Sequence, residues 1–174
     1  QTRAIVKEYD NDIIVPILEE TNDIAMEREK FPEKTKICCD PFEKLIQLHN
    51  KWFFCQLLDS YQIPSPKSSL ISSIEDLEAI PTTYPYFLKA SYSRASQGAW
   101  KISCKEDLAN IPVSKKNPLI AQEFIEGKKY CSYSICHDGK INAHTTYPVK
   151  LAILGSSCLS FEAIDHPKIL DWIT

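Results

Sequence analysis

Glycine is scarce in this sequence, which has four glycines among 174 residues, whereas about 7% glycine is usual in proteins. Loops that wrap phosphate groups with backbone N–H groups usually need glycine, because it adopts positive φ angles and lets a ligand approach the backbone closely. The sequence contains neither GxGxxG nor GxxxxGK[ST]. These absences argue against a Rossmann dinucleotide site and against a Walker-type phosphate loop.

Neither a strong positive charge nor a long apolar run is present. The net charge of −3 and the pI of about 5.8 argue against a general nucleic-acid binder, which normally presents a basic patch. No stretch approaches the length of a membrane-spanning helix. The first residues, QTRAIVKEYDND, lack the pattern of a signal peptide. Because the sequence also begins with glutamine instead of methionine, we expect a fragment of a longer, cytoplasmic protein that binds neither nucleic acid nor membrane.

The seven cysteines include no CxxC motif, and free cysteines behave as small buried apolar residues. The alternative is a metal site formed by Cys131, Cys136 and His137, with His144 nearby. Residues 130–136 predict a strand, however, and side chains five positions apart on a strand point to opposite faces. We therefore interpret the cysteines as free thiols and not as a disulfide framework or a zinc site.

Short apolar runs alternate with helical patterns in the first part of the chain. Residues 12–18 predict a buried strand, because they form a short run rich in β-branched side chains. Residues 19–30 predict a helix with acidic residues in its first turn and basic residues in its last. Residues 35–39 predict a second short strand. Asp40 and Pro41 then predict a helix start, since aspartate can cap a helix and proline fits its first position.

Residues 42–62 carry the strongest helical pattern, with apolar residues recurring every three or four positions. A break near His49-Asn50 leaves open whether this segment forms one helix or two. The prolines of Pro64–Pro66 end the pattern, since a residue before proline is driven out of the helical region. This stretch is the predicted boundary between a first unit, residues 1–63, and a second unit, residues 64–174.

The second unit predicts short strands that alternate with short helices. The predicted strands are 67–71, 86–90, 99–103, 119–125, 129–136 and 140–146. Ser73 is a predicted cap for a short helix with Asp76 at its third position, and residues 105–111 predict another helix. Asp138-Gly139, between two alternating runs, is a strong hairpin signal. The fold class indicated is mixed α/β, of the α+β kind.

Three segments carry candidate binding residues. Lys51 begins a predicted helix, and Lys89 follows Pro85 in a Pro-x-x-x-Lys strand. That strand leads into a polar loop that ends at Gly98, and the run Gln-Glu-Phe-Ile-Glu-Gly follows at 122–127. Each segment alone is a weak signal, but their order and spacing together resemble the ATP-grasp superfamily. The resemblance covers about residues 12–165 and is nearest to the carbamoyl-phosphate synthetase large chain, biotin carboxylase and D-alanine ligase.

The resemblance implies that two α+β subdomains hold ATP between them, after the later half of a parallel-sheet domain that precedes the core. It divides the second unit into a nucleotide-binding subdomain, 64–125, and the start of a second subdomain, 126–174. The residues implied to bind ATP are Lys51, Lys89, Ser91, Arg94, Ser96, Gln97, Gly98, Glu123, Phe124, Ile125 and Glu126. Ammonium groups suit the triphosphate as compact point charges. The loop from 91 to 98 would cover the phosphates, and the backbone at 123–125 would contact the adenine.

Three features depart from the family pattern. Where relatives often have three glycines, the loop reads Tyr-Ser-Arg-Ala-Ser-Gln at 92–97. Where many relatives carry a glutamate for the ribose hydroxyls, this chain has Lys129, and Glu126 is the candidate replacement. The magnesium ligands of relatives lie further downstream, so we expect them outside this chain. Glu162 and Asp165 are the alternatives within it.

The resemblance implies a fragment of an ATP-dependent carboxylate ligase. Such an enzyme would bind Mg-ATP and activate a small-molecule carboxylate as an acyl phosphate, which an amine or another nucleophile then attacks. The fragment itself is expected to bind ATP weakly and to be inactive, and no catalytic residue is assigned. The alternative is a degenerate ATP-grasp module with weak or no ATP binding that serves an interaction role. Neither the substrates nor the oligomeric state can be read from the sequence.

Overall fold

The computed structural model describes residues 8, 12–18, 20–80, 83–93, 97–150, 152–153, 157–158 and 161–174. Its strands are β1 (Ile13–Ile14), β2 (Lys36–Ile37), β3 (Ser68–Ile71), β4 (Tyr86–Ala90), β5 (Ala99–Ile102), β6 (Leu119–Glu123), β7 (Tyr130–His137), β8 (Lys140–Pro148), β9 (Ala152–Ile153) and β10 (Ser157–Cys158). Its helices are α1 (Glu20–Met26), α2 (Phe42–His49), α3 (Lys51–Ser60), α4 (Ile74–Glu78) and α5 (Pro167–Ile173). The predicted α/β class is confirmed. No helix in this part of the chain has the length and apolar character of a membrane span.

A small parallel sheet begins the fold. β1 and β2 pair in parallel, with Ile14 opposite Ile37, and both isoleucines pack against the buried Ile24 of α1 and the buried Phe31. A parallel pair needs a crossover connection, which here is α1 and the following 3₁₀ turn. The predicted order of strand, helix and strand is therefore confirmed.

The prediction of a buried strand over residues 12–18 is wrong. Only two residues pair, and the side chains of Ile17 and Leu18 are 79% and 72% exposed. Pro16 has no N–H to donate to a strand ladder, so pairing ends before it. The backbone N–H groups of Ile17 and Leu18 instead donate to the carboxylate of Glu20, at the start of α1.

Residues 42–60 form two helices, which settles the alternative that the sequence left open. Asn50 caps α3 because its Oδ1 accepts hydrogen bonds from the N–H groups of Trp52 and Phe53, at 2.9 and 3.1 Å. Asparagine is among the best N-cap residues. At the start of α2, by contrast, Pro41 occupies the cap position without a side-chain hydrogen bond. The expected capping role of Asp40 is therefore wrong, and its carboxylate lies 3.8 Å from the Lys44 ammonium.

The central sheet has four antiparallel strands in the order β3-β6-β4-β5. Because successive side chains point to opposite faces of a sheet, Leu88, Leu119 and Ile102 lie together on one face, where each is at most 1% exposed. Leu77 of α4 covers this face. The opposite face, which we call the open face, carries polar side chains, among them Lys89, beside the buried Ile120.

Local signals in the second unit were predicted well. Ser73 and Asp76 form the expected capping box at α4. Asp138 and Gly139 have φ angles of 49° and 72° at the turn between β7 and β8, as a two-residue hairpin with positive φ at both turn residues requires. The helix predicted over 105–111 is only a 3₁₀ turn that ends at Leu108, because Pro112 disfavours the helical region for the preceding residue. The boundary at Pro64–Pro66 stays a prediction.

Loss of the Asn50 cap is expected to destabilise the protein. Asn50→Ala removes the acceptor for two backbone N–H groups, and the expected loss is about 1 kcal/mol in the free energy of unfolding. Asn50→Asp keeps the acceptor and is expected to retain most of the stability. Urea denaturation followed by circular dichroism measures both variants. Equal stability of Asn50→Ala and the wild type would contradict the capping role.

Candidate functional site

The open face of the central sheet brings three polar side chains into contact from three neighbouring strands. Lys89 lies on β4, Gln122 on β6 and Ser68 on β3. The Lys89 Nζ donates to Gln122 Oε1 at 2.5 Å, and Gln122 Nε2 donates to Ser68 Oγ at 3.0 Å. Strand alternation turns all three toward the face that the core does not use.

Lys51 reaches the same region from the start of α3. Its backbone N–H donates to Ser91 O at 3.0 Å, which joins the helix to the end of β4. Its ammonium group donates to the carbonyl and the hydroxyl oxygen of Ser93, at 2.8 and 3.0 Å. The structure therefore brings together Lys51 and Lys89, the two lysines that the sequence singled out.

Burial lowers the pKa of both lysines. For Lys51 the larger cause is desolvation, and the second is repulsion by the positive charge of Lys89. For Lys89 desolvation also dominates, and it is partly opposed by Cys55. Among the described residues, no carboxylate pairs with either ammonium group. Two partly buried cations thus repel each other, and a bound anion would relieve both costs.

The loop after β4 is only partly described. Ser91 is fully buried; its N–H donates to Pro118 O at 2.9 Å, and its hydroxyl has no hydrogen-bond partner. Its hydroxyl can reach a phosphate only if the residues that cover it move. Tyr92 is fixed by two hydrogen bonds between its backbone and the side-chain amide of Asn117. Gln97 is exposed. The predicted positions Arg94 and Ser96 lie outside the described residues.

Gly98 closes the loop in a conformation that favours glycine. Its φ angle is +63°, and a Cβ atom there would lie 3.0 Å from the Ala90 Cβ. Its carbonyl accepts from the Ala90 N–H at 2.7 Å, next to Lys89. Because of the positive φ angle and the nearby Ala90 side chain, any larger residue at this position would be strained. Gly127 differs, since a Cβ atom there would meet nothing within 4 Å.

The hinge segment presents an aromatic wall. The ring centroid of Phe124 lies 5.6 Å from that of Phe87, and the Lys101 ammonium lies 4.4 Å from the Phe124 centroid. The N–H of Glu123 donates to Lys67 O at 2.9 Å, and its carboxylate accepts from the Lys67 N–H. These two groups of Glu123 are therefore already bound within the sheet. Ile125 is 62% exposed.

The remaining predicted position, Glu126, is exposed at the end of the hinge segment. Sequence reasoning missed four side chains of this face, namely Ser68, Phe87, Lys101 and Gln122. Strand alternation could have found two of them, Phe87 and Gln122. Phe87 lies two positions before Lys89 and therefore on the same face of its strand, and Gln122 shares the face of Ile120 for the same reason.

The described residues contain no group of three or more metal-binding side chains. The carboxylate of Glu162, one of the two alternative magnesium ligands named from the sequence, is paired with the Lys150 ammonium. The free thiols among the described residues are Cys38, Cys39, Cys55, Cys104, Cys131 and Cys136.

A cavity of about 420 Å³ lies behind the hinge, on the core side of the sheet. Its lining includes Ser69, Tyr86 and Ala121, which alternate with the residues of the open face. Its lining also includes Gln122 and Phe124, so the cavity extends along the hinge to residues of the candidate site.

Gly98→Ala is expected to destabilise the protein by about 1 kcal/mol or more, because the new methyl group meets Ala90 and the backbone is held at positive φ. Gly127→Ala is the matched control, and it is expected to change stability little because its surroundings are open. Thermal unfolding of both variants tests the difference. A stable Gly98→Ala protein would show that the loop does not need this conformation.

The lowered pKa of Lys89 has a consequence for the pH dependence of stability. The Lys89 ammonium group holds its proton more tightly in the unfolded chain than in the folded protein. The contribution of Lys89 to the free energy of unfolding therefore rises with pH between its folded pKa and the ordinary value of 10.5. The free energy of wild type minus that of Lys89→Met is therefore expected to increase toward alkaline pH. Urea denaturation from neutral pH to about pH 10 measures this difference. A constant difference would contradict the burial of the charge.

The comparisons with known proteins agree with this geometry. Residues 48–149 match the family model of the ATP-grasp domain. No curated protein sequence matches the chain. Among solved structures, an L-amino acid ligase from Bacillus licheniformis is 15% identical with a TM-score of 0.69, over 97% of this chain and 43% of that one.

Two further structures share the fold. The biotin carboxylase domain of the Hydrogenobacter thermophilus 2-oxoglutarate carboxylase, in complex with MgADP, ADP and bicarbonate, is 14% identical with a TM-score of 0.70, over 90% of this chain and 38% of that one. The D-alanine-D-alanine ligase of Helicobacter pylori is 16% identical with a TM-score of 0.58, over 81% of this chain and 46% of that one. The chain thus spans less than half the length of these proteins. With the matched family model covering more than half of its residues, the chain belongs to the ATP-grasp family.

Proposed function

We propose that this chain forms the nucleotide-binding part of an ATP-dependent carboxylate ligase, in which Lys51 and Lys89 bind the phosphate groups of ATP. One observation carries the proposal. The two ammonium groups come from different parts of the chain, are partly buried, and repel each other without a carboxylate partner among the described residues. Such an arrangement does not stabilise the folded protein. The negative charge of a polyphosphate ligand would offset both the repulsion between the two ammonium groups and the cost of burying them.

The ammonium groups keep donors for a ligand. Each has three N–H donors, and the described contacts use one at Lys89 and two at Lys51. Both contacts of Lys51 are to Ser93, which lies within the loop implied to cover the phosphates. A phosphate oxygen would add charge-assisted hydrogen bonds, which are stronger than those to neutral acceptors.

The aromatic wall gives the base a place beside the phosphates. Phe87 lies two residues before Lys89 on the same face of β4, and Phe124 packs against it from the hinge. An adenine ring stacked on this wall would lie within reach of the backbone of Phe124 and Ile125. Because the N–H of Glu123 already donates to Lys67, we assign N–H donation to the base to the residues that follow it.

The reaction proposed for the whole enzyme is the activation of a carboxylate as an acyl phosphate, followed by attack of an amine or another nucleophile. The fold relatives whose names identify ligases of amino acids support this substrate class. Magnesium would supply charge neutralisation of the phosphates during transfer. Within the chain, the part of Lys51 and Lys89 is to bind and orient the triphosphate, because phosphoryl transfer depends mainly on positioning and on electrostatic stabilisation.

A second candidate function is an ATP-grasp module that binds ATP weakly or not at all and serves an interaction role. The observations that favour it are the buried hydroxyl of Ser91 and Lys129 at the position where relatives carry a ribose-binding glutamate. Direct measurement of nucleotide binding separates the two functions.

Replacing either lysine is expected to weaken nucleotide binding at least tenfold. Lys51→Met and Lys89→Met each remove a charged hydrogen bond, worth about 1.5–3 kcal/mol, and a factor of ten corresponds to about 1.4 kcal/mol. The isolated chain is expected to bind Mg-ATP weakly, with a dissociation constant of about 1 mM. Titration of backbone amide NMR shifts with Mg-ATP measures such affinities.

Lys140→Met is the matched control, because Lys140 is exposed at the hairpin of β7 and β8 and lies on another sheet. The unfolding midpoints of the two site variants are expected to equal or exceed that of the wild type, since a neutral side chain relieves the burial of charge. Unchanged binding in Lys89→Met would refute the assignment. Absence of any shift in the wild-type protein would favour the interaction role.

A further inference from the structure

We propose that Ser68 and Gln122 are positioning residues that hold the Lys89 ammonium group on the open face of the sheet, ready for an anionic ligand. The inference rests on the proposed function, because it assigns to Lys89 a role in phosphate binding. It concerns two residues that are not among those implied to bind ATP.

A directed chain of hydrogen bonds connects a backbone carbonyl to the ammonium group. Ser68 Oγ donates to Pro66 O at 2.9 Å. Gln122 Nε2 donates to Ser68 Oγ at 3.0 Å, and Lys89 Nζ donates to Gln122 Oε1 at 2.5 Å. These contacts cross the neighbouring strands β3, β6 and β4 in order.

The direction of the chain is fixed at its backbone end. A carbonyl oxygen can only accept, so the single hydroxyl proton of Ser68 is used on Pro66 O. The Ser68 oxygen must then accept from Gln122, which turns the NH₂ end of the amide toward Ser68. The carbonyl end of the amide is thereby turned toward Lys89. Cys55 lies 3.5 Å from Ser68 Oγ, at sulfur hydrogen-bond distance, and fits the same pattern as a further weak donor.

The orientation of the amide decides whether the ammonium group has an acceptor. If the amide turned over, its NH₂ group would face the Lys89 NH₃⁺, and two donors would oppose each other. Lys89 is partly buried and its ammonium group lies 5.4 Å from the Phe87 ring centroid, so the Gln122 carbonyl replaces an acceptor that bulk water supplies to an exposed lysine. Because the amide is neutral, it holds the ammonium group in place without cancelling its charge. The positive charge therefore stays available to a ligand.

Among the described residues, three titratable groups lie near Lys89. Lys51 of α3 lies close enough to repel it, and Cys55 of α3 interacts with it electrostatically. Lys101 of β5 shares the open face and lies over the Phe124 ring. Lys51 and Lys101 make no described hydrogen bond to Ser68, whereas the Cys55 thiol donates to the Ser68 hydroxyl. An effect of Ser68→Ala on Lys89 is therefore attributed to the hydrogen-bond chain when Gln122→Met reproduces it.

The test uses Ser68→Ala in the full chain, with Ser69→Ala as matched control. Ser69 is the next residue on the same strand but faces the other side of the sheet, opposite Ala121. The first readout is the titration of the Lys89 side chain by NMR in the free protein. The second is the affinity for Mg-ATP and for inorganic tripolyphosphate. Ser68→Ala is expected to lower the Lys89 pKa further and to weaken both ligands about three- to tenfold, whereas Ser69→Ala leaves both readouts unchanged.

Two more variants keep the test decisive if Ser68→Ala folds poorly. Ser68→Thr restores the hydroxyl in a residue suited to strands and is expected to restore Lys89 titration and affinity. Gln122→Met removes the amide at similar size and is expected to reproduce the effect of Ser68→Ala. Combining Gln122→Met with Ser68→Ala should add no further loss, because both interrupt one chain.

The outcomes separate the inference from the proposed function. An unchanged Lys89 titration in Ser68→Ala and Gln122→Met would overturn the positioning role, whatever the ligands do. A shifted titration in a protein that binds neither Mg-ATP nor tripolyphosphate would support the hydrogen-bond chain and overturn the proposed function. A shifted titration with weakened binding supports both.

Discussion

The strand register of the four-stranded sheet is the constraint on which the candidate site depends. Leu88 and Leu119 are almost completely buried on one face, and strand alternation then forces Lys89 and Gln122 to the other. A shift of one residue in the register of β4 would move Lys89 into the core and Leu88 onto the open face, at the cost of burying a charge without a partner. The apolar core and the polar site are therefore specified by the same register. The site needs no separate folding signal.

A second constraint joins the open face to the first unit. Asn50 ends α2 and caps α3 in one step, so that Lys51 begins a helix at the point where its backbone contacts Ser91 at the end of β4. The backbone contact fixes the position of Lys51, and burial together with Lys89 then lowers its pKa. Mutual repulsion of two cations is unfavourable for folding alone. The proposed function gives a reason for this repulsion, because a polyphosphate ligand requires positive charge and groups with perturbed pKa values gather at functional sites.

Several local signals predicted local structure. The Ser73 cap, the Asp138-Gly139 turn and the strand of Lys89 were all predicted, because each depends on neighbouring residues. Other local signals failed, since Asp40 does not cap α2 and the helix predicted over 105–111 is a 3₁₀ turn. The burial expected for residues 12–18 also failed, because Pro16 ends the ladder and Ile17 is 79% exposed. The hydrogen bonds from Lys89 to Gln122 and on to Ser68 were equally out of reach, since the strand order β3-β6-β4-β5 is not the order along the chain. The sequence motif identified the two lysines, but their hydrogen-bond partners could be identified only from the strand order of the sheet.

The small number of glycines can be related to the contacts of the loop that follows β4. Gly98 is the one glycine of the phosphate loop, and its positive φ angle and the close approach of Ala90 show that glycine is kept where the backbone demands it. Ser91 belongs to the same loop. Its N–H donates to the Pro118 carbonyl, and its own carbonyl accepts from the Lys51 N–H. Backbone donors of the kind that glycine-rich loops offer to phosphate are thus already engaged at Ser91. Under the proposed function, the side-chain cations Lys51 of α3 and Lys89 of β4 contact the phosphates, and such contacts do not require glycine.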